Sequence, residues 1–338
     1  MAGSANQLNL NGPIREDSLA SWVQSIARGF MPARILLTAL EFDIFGRLAN
    51  NCFSVSELAD RMNTNPRATE ILLNALVAMN LLNKTGNNFS NVEALSRLLA
   101  RENPHSIAGA LLHIANQWER WSHLTEIVTS GRCHTREWTP EMSGHLASAM
   151  EMQAACTMDR MMRAADCFGA GRLLDVGGGS GACSIAFARR HPRLQVVLFD
   201  KDAHLLDVAE REIAKHNLSS RIAVKKGDFF VDDIGNGYDV AVLCSVICLF
   251  GEEQNHALLK RVHASLSPGG KALIWDLMLD ESRTNPLQAA IFAVNMLTAT
   301  PTGRCYSHRE ITEWLQDVGF GDIRRIPIDN FHLVTGKK

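Results

Sequence analysis

An apolar run that breaks into four closely spaced glycines leaves a chain few choices. Leu173-Leu174-Asp175-Val176-Gly177-Gly178-Gly179-Ser180-Gly181 reads as a strand that ends, turns sharply and opens a helix. Glycine meets both needs of that turn. It tolerates positive φ, and with no Cβ it lets a ligand lie against the backbone. The helix that follows points its amide donors back at the turn. Asp200 closes the next apolar run, residues 195–199. In a doubly wound sheet a carboxylate placed there lies beside the first loop and can hold the two hydroxyls of a ribose. The residues therefore point to an adenosine-bearing ligand.

The surroundings of this loop give the fold class. From Ala170 onward short β-rich runs at 172–176, 195–199, 221–224, 238–243 and 271–275 alternate with helical patterns from about 182, at 204–216 and at 252–266. That rhythm predicts a parallel sheet covered on both faces. The end differs. Runs at 322–328 and 331–335 flank Asp329-Asn330, a two-residue turn, so these two strands must be antiparallel. The expectation is an α/β domain with a mostly parallel sheet and a reversed last strand.

The first half reads as helices. Residues 34–48 carry apolar side chains at three-four spacing. Ser54 with Glu57 three residues on is a capping signature, Pro66 suits a helix start, and a helix is expected over 67–82, followed by a turn at 84–88 around Gly86. Helix, turn, helix and small wing resemble a winged-helix module. The helix at 67–82 has one Arg and one Glu among many Leu and Ala, and the whole chain has 34 basic against 36 acidic residues. A groove-reading helix needs more donors, so the module is read as packing and dimerisation, with no nucleic acid as partner. The domains expected are 1–104 (helical, winged-helix-like), 105–168 (a helical connector lining the substrate space) and 169–338 (the sheet).

Residues 240–250 form the longest apolar run, too short to span a bilayer. Residues 1–11 show no secretory pattern, so no membrane contact and a cytoplasmic location are expected. The eight cysteines form no CxxC pair. They are read as free thiols, with no metal site.

The glycines alone leave two readings open, because Gly177, Gly179 and Ala182 also satisfy the dinucleotide fingerprint of NAD(P)-dependent oxidoreductases. Four features separate them: Asp175 two residues before the glycines, Gly227-Asp228-Phe229-Phe230 after the third strand, Ser267-Pro268-Gly269-Gly270 before the fifth, and the reversed last strand. Together they resemble the class I S-adenosylmethionine-dependent methyltransferases, whose sheet is Rossmann-like and seven-stranded. From about Ala33 onward the chain resembles the two-domain O-methyltransferases that include the hydroxyindole and plant phenolic enzymes and their bacterial natural-product relatives. The resemblance implies S-adenosyl-L-methionine as cofactor and a homodimer. It places Asp175, Gly177, Gly179 and Gly181 in the cofactor loop, with Gly177 at the methionine portion. Asp200 would hold the ribose, Asp228 the adenine amino group and Phe229 the adenine face. Cys244 would line the cofactor where plant members have lysine.

One departure matters chemically. The family places a histidine base shortly after the fourth strand, and here Val246-Ile247-Cys248-Leu249-Phe250 stands there, with Cys248 at the histidine position and Asp276 for a family glutamate. A thiol buried among apolar neighbours stays protonated, so Cys248 is read as lining a pocket. Three outcomes stay open. The acceptor could be acidic enough to need no base. His113 or His145 could supply one. Or the chain could methylate carbon or nitrogen, or hold the cofactor without methylating. The acceptor is expected to be a small, flat, apolar metabolite. Trp118, Met150, Asn295 and Met296 are the expected walls of its pocket.

Overall fold

The computed structural model describes residues 16–134, 136–165, 167 and 169–338. The segment 1–11, read for a leader, lies outside the described residues. The chain divides into two compact units, 1–112 and 113–338.

The first unit holds α1 (Glu16–Arg28), α2 (Phe30–Glu41), α3 (Ile44–Arg47), β1 (Phe53–Ser54), α4 (Val55–Met62), α5 (Pro66–Ala78), β2 (Leu82–Thr85), β3 (Asn88–Asn91) and α6 (Glu93–Leu99). The capping box forms as read: the Ser54 amide donates to Glu57 Oε2 at 2.8 Å and the Glu57 amide to Ser54 Oγ at 3.4 Å. Asn65 caps α5 by accepting from the Ala68 amide at 3.1 Å, with Pro66 at the first helical position. α5 ends at Ala78, four residues short of the expected end. Asn80 takes a left-handed φ of 59°, and Leu82 is drawn into pairing with Asn91 across the β2–β3 hairpin. Leu40, Ile44, Phe45, Leu58, Leu73, Leu76 and Phe89 are each at most 1% exposed and form the unit's core. Each contributes about 1.5–3 kcal/mol by burial.

The second unit begins in α7 (Ala108–Ser122), which crosses the division. It continues with α8 (Leu124–Ser130), α9 (Pro140–Ala165), β4 (Arg172–Val176), α10 (Ala182–Arg190), β5 (Gln195–Asp200), α11 (Ala203–Lys215), β6 (Ile222–Lys226), β7 (Tyr238–Cys244), α12 (Glu252–Ser265), β8 (Leu266–Asp276), α13 (Leu287–Ala299), α14 (His308–Asp317), β9 (Gly321–Ile328) and β10 (Phe331–Lys337). The seven strands lie in the order β6-β5-β4-β7-β8-β10-β9. β4 through β8 pair in parallel, and β10 runs antiparallel to both β8 and β9. The last strand is reversed, as the hairpin residues require.

Successive side chains of a strand face opposite ways, and the core follows that alternation. Leu173, Val196, Leu198, Val240 and Val242 pack with α9, α10 and α11 residues such as Met161, Phe187 and Ala209. Leu174, Phe199, Ala241, Leu243 and Ile274 pack with Leu258 and Val262 of α12 and Trp314 of α14. Strand order reverses at β4, whose neighbours β5 and β7 lie on either side. The crevice at the carboxyl ends of β4, β5 and β7 is therefore the place for a ligand.

Candidate active site

The loop leaving β4 is built from left-handed glycines: Gly177, Gly179 and Gly181 have φ of 69°, 51° and 81°. The Gly177 amide donates to the Phe199 carbonyl at 2.8 Å, tying the loop to the end of β5. A Cβ on Gly177 would stand 2.9 Å from Val246 Cγ2, and one on Gly179 would stand 2.5 Å from Met150 Cε. Asp200 Oδ2 accepts from the Gly179 amide and Oδ1 from the Asp202 amide, both at 2.9 Å. Asp175 is fully buried. Its Oδ2 accepts from Ser184 Oγ at 2.6 Å, while Oδ1 has no partner. Burial pushes the Asp175 carboxyl up to about 6, with the Ser184 hydrogen bond opposing and the Asp200 charge adding to the rise. Burial raises Asp200 as well.

These groups open onto a cavity of about 490 Å³, within the range of small-molecule sites. Asp175, Gly177, Gly179, Asp200 and Phe229 line it on the loop side, and Cys244, Ser245, Val246 and Cys248 follow from the end of β7. α9 contributes Leu146, Met150, Gln153 and Met158, and α13 contributes Phe292, Asn295 and Met296. His113, Gln117 and Arg120 of α7 and Trp138 complete the wall.

The expected residues divide accordingly. Asp175, Gly177, Gly179, Asp200, Phe229, Cys244, Cys248, His113, Met150, Asn295 and Met296 all line the cavity. Gly181, Asp228, His145 and Trp118 are not among its lining residues. A Cβ at Gly181 would meet Leu198 Cδ1 at 3.2 Å and Ala209 Cβ at 3.3 Å, so that glycine serves close packing of helix on strand. Asp228 Oδ1 accepts from the Phe230 amide at 2.9 Å and shapes the turn after β6. His145 precedes the lining Leu146 by one residue, about 100° around the helix. Its Nδ1 lies 3.1 Å from Asn116 Nδ2, and Nε2 is 4.0 Å from Glu141. Trp118 is likewise one residue beyond Gln117, and Trp138 takes the aromatic place in the wall instead. Phe229 both lines the cavity and packs in the core, with the Phe230 and Phe250 rings 4.9 and 5.6 Å away.

Ser245 and Cys183 escaped the sequence reading, whereas Asn295 and Cys244 were among the expected residues. Ser245 adopts φ 55°, a strained conformation for serine, costing about 1–3 kcal/mol. Asn295 Oδ1 accepts from Trp121 Nε1 at 3.1 Å, which fixes its amide. Cys244 Sγ and Cys183 Sγ lie 3.2 Å apart on the cavity wall. Gln117, Arg120 and Trp138 were missed as well. A signal existed for the first two: with His113 they make a polar stripe at four- and three-residue spacing on one side of a helix.

Cys248, expected from the resemblance to stand where the family has its base, is 2% exposed. Its amide donates to Asp276 Oδ2 at 3.2 Å and its thiol reaches the Ser245 carbonyl at 3.5 Å. Burial, then the charge of Asp276, pushes the thiol well above its usual range. Asp276 is itself pushed up to about 7 by burial, against hydrogen bonds from Cys248 and Leu277. A thiol in this setting holds its proton. His113, bonded to Gln117 at 2.8 Å, is held down to about 4 by burial, then by Arg120 and His145. It is therefore neutral near pH 7. Among the described residues no group of three or more His, Cys, Asp or Glu could hold a metal ion. No described helix is long and apolar enough to cross a membrane.

Comparison with known proteins now gives the class. An O-methyltransferase domain model matches residues 110–321, and an O-methyltransferase dimerisation domain model matches 24–102. The chain belongs to the O-methyltransferase family. Its sequence is 28% identical over 327 residues to the tetracenomycin polyketide synthesis 8-O-methyl transferase of Streptomyces glaucescens, covering 94% of this chain and 96% of that one. It is 29% identical over 310 residues to the 3-hydroxy-5-methyl-1-naphthoate 3-O-methyltransferase of Streptomyces sahachiroi, covering 89% of each. The fold matches human N-acetylserotonin methyltransferase in complex with S-adenosylmethionine, with a TM-score of 0.83 at 23% identity over 97% of this chain and 99% of that one.

The chain is thus an S-adenosylmethionine-dependent methyltransferase, and the nicotinamide reading of its glycines gains no support. The loop fits such a cofactor: side-chain-free backbone at Gly177 and Gly179, an unpartnered carboxylate oxygen on Asp175, and the Asp200 carboxylate beside them. When bound, this cofactor supplies an electrophilic methyl group on a cationic sulfonium.

Proposed function

We propose that this enzyme methylates a hydroxyl of a flat aromatic small molecule and does so without a base at Cys248. One observation carries the reading. The cavity is lined by the glycine loop and by Met150, Met158, Met296, Trp138 and Phe292, and Cys248, read as standing where the family has its base, is a buried thiol that keeps its proton. Methionine and aromatic walls suit a flat apolar ring. A positioned base contributes about 10²–10⁴-fold. An acidic phenol that ionises on its own dispenses with it, and positioning supplies the rest. Two relatives, one named for 8-O-methyl transfer in tetracenomycin polyketide synthesis and one for 3-O-methylation of a hydroxynaphthoate, support an aromatic acceptor.

In this reading Asp200 accepts from the ribose hydroxyls, Phe229 covers the adenine, Asp228 acts from its turn on the adenine edge, and Asp175 sits nearest the cofactor's cationic end. His113 is available as a neutral imidazole, whereas His145 lacks a place on the wall. Residues 1–104 pair two copies, 105–168 line the substrate space and 169–338 hold the cofactor. Exposed Val23, Ile26, Phe30 and Met31 on α1 and α2 supply the apolar face that a homodimer needs. The helix-turn-helix and wing act as a packing module, and the enzyme works in the cytoplasm.

The test is methyl transfer from S-adenosylmethionine to a panel of hydroxynaphthalenes, read by mass spectrometry. A product heavier by one methyl on oxygen is expected. Methylation only on carbon or nitrogen, or no transfer to any member despite tight cofactor binding, counts against the reading.

A further inference from the structure

His113, Gln117 and Arg120 of α7 line the cavity from one stripe of the helix. His113 and Gln117 satisfy each other at 2.8 Å. Arg120 differs: among the described residues its guanidinium makes no hydrogen bond or ion pair, and its Nε is enclosed without an acceptor. Burial, then repulsion from Arg136, disfavours its charge. Arg136 has its own partner in Glu119 at 3.3 Å. A guanidinium keeps its proton even so. On an open surface water would solvate such a cation. Here it is half-buried in the lining of a cavity whose other walls include Trp138, Met150, Met158 and Phe292. The carboxylates that line the same cavity lie beside the glycine loop, where Asp200 at the end of β5 is bonded to the Gly179 amide and Asp175 of β4 to Ser184.

We propose that Arg120 selects acceptors that carry a carboxylate, so that the substrate class is a flat aromatic hydroxy acid. The inference rests on the methyl-transfer reading above and narrows it. A planar guanidinium matches a carboxylate in shape and donors, and the pair is strongest where water is excluded. Nδ1 of His113 is also enclosed without a partner. With Gln117 donating to Nε2, it carries the ring hydrogen, and the neutral ring does not compete with a ligand for Arg120. An acceptor lacking the carboxylate leaves the guanidinium unpaired in a largely apolar cavity. That asymmetry is the source of selectivity. Arg120 on α7 receives the acid, and Asp175 and Asp200 beside the glycine loop receive the cationic cofactor.

The experiment measures binding by calorimetry to the full chain saturated with S-adenosylhomocysteine. The probes are hydroxybenzoates, hydroxynaphthoates and hydroxyanthracene carboxylates, each paired with its methyl ester. In the unaltered chain at least one acid is expected to bind about 10–100-fold more tightly than its ester, the range for a hydrogen bond to a charged group. Arg120→Met should bring acid and ester within about threefold of one another, with affinity for S-adenosylhomocysteine within about threefold of the parent, and Arg120→Lys should retain part of the preference. Arg120→Gln gives the same readout should the methionine variant not fold. Acids that bind no better than their esters anywhere in the panel, acids that do not bind at all, or a preference that survives loss of Arg120 overturn the proposal. Failure of S-adenosylhomocysteine to bind would strike the methyl-transfer reading instead, and the same titrations without it still decide the role of Arg120.

Discussion

The backbone amide of Cys248 donates to Oδ2 of Asp276 at 3.2 Å, joining the turn after β7 to the end of β8. The bond uses the backbone of residue 248, so its side chain can be changed without breaking it.

Cys248→Ala therefore tests the thiol alone. The expected turnover is within about tenfold of the parent, and the loss of a buried sulfur costs on the order of 1 kcal/mol. Steady-state kinetics with saturating cofactor, alongside a urea melt, read both. A drop of a hundredfold or more with the cofactor still bound would mean the thiol takes part in proton transfer, since a positioned base is worth that much.

Asp175 gives a pH dependence with a defined sign. Its carboxyl titrates at about 6 in the folded chain against about 3.9 in an unfolded one. Between those values the folded state holds a proton that the unfolded state has released. Stability therefore falls as pH rises from about 4 to 6 and levels above that. The cationic cofactor favours the ionised form, so its affinity should rise about tenfold from pH 5 to pH 7. Asp175→Asn should flatten that rise in a calorimetric titration. A rise that persists in the variant assigns it to another group.

Two glycines separate ligand contact from packing. Gly177→Ala puts a Cβ 2.9 Å from the branched Val246 side chain inside the cavity, and should weaken S-adenosylhomocysteine binding at least tenfold. Gly181→Ala presses on Leu198 and Ala209 outside it. It should lower stability by about 1–3 kcal/mol while cofactor affinity in the folded fraction changes little. Equal effects of both changes on affinity would remove the distinction.

Much of the second unit was legible because its signals are local. A strand that breaks into Gly177–Gly181, and Asp329-Asn330 between two β-rich runs, each dictate a backbone geometry whatever surrounds them. The capping box at Ser54 and Glu57 is of the same kind. So is the one at Ser307 and Glu310 that starts α14, where the Ser307 amide donates to Glu310 Oε2 at 2.7 Å; it was equally readable and went unread. The site's outer wall was harder, because it depends on helix phase. A shift of one residue separates Trp118 from Gln117 and His145 from Leu146. Trp138 lies between helices, where no periodicity points its ring, and is held by a bond from its Nε1 to Ser143 Oγ at 2.7 Å. The early end of α5 came from pairing of Leu82 with Asn91, a competition that helix propensity alone does not reveal.

In the proposed reaction the proton leaves by the acceptor's own ionisation rather than to a group of the protein. Single-turnover methyl transfer should be followed against pH for a set of phenolic acceptors of graded acidity, with cofactor saturating at every pH. The half-rise of the rate should move with each acceptor's own pKa. A half-rise fixed at one pH for every acceptor would reveal a protein base and contradict the account.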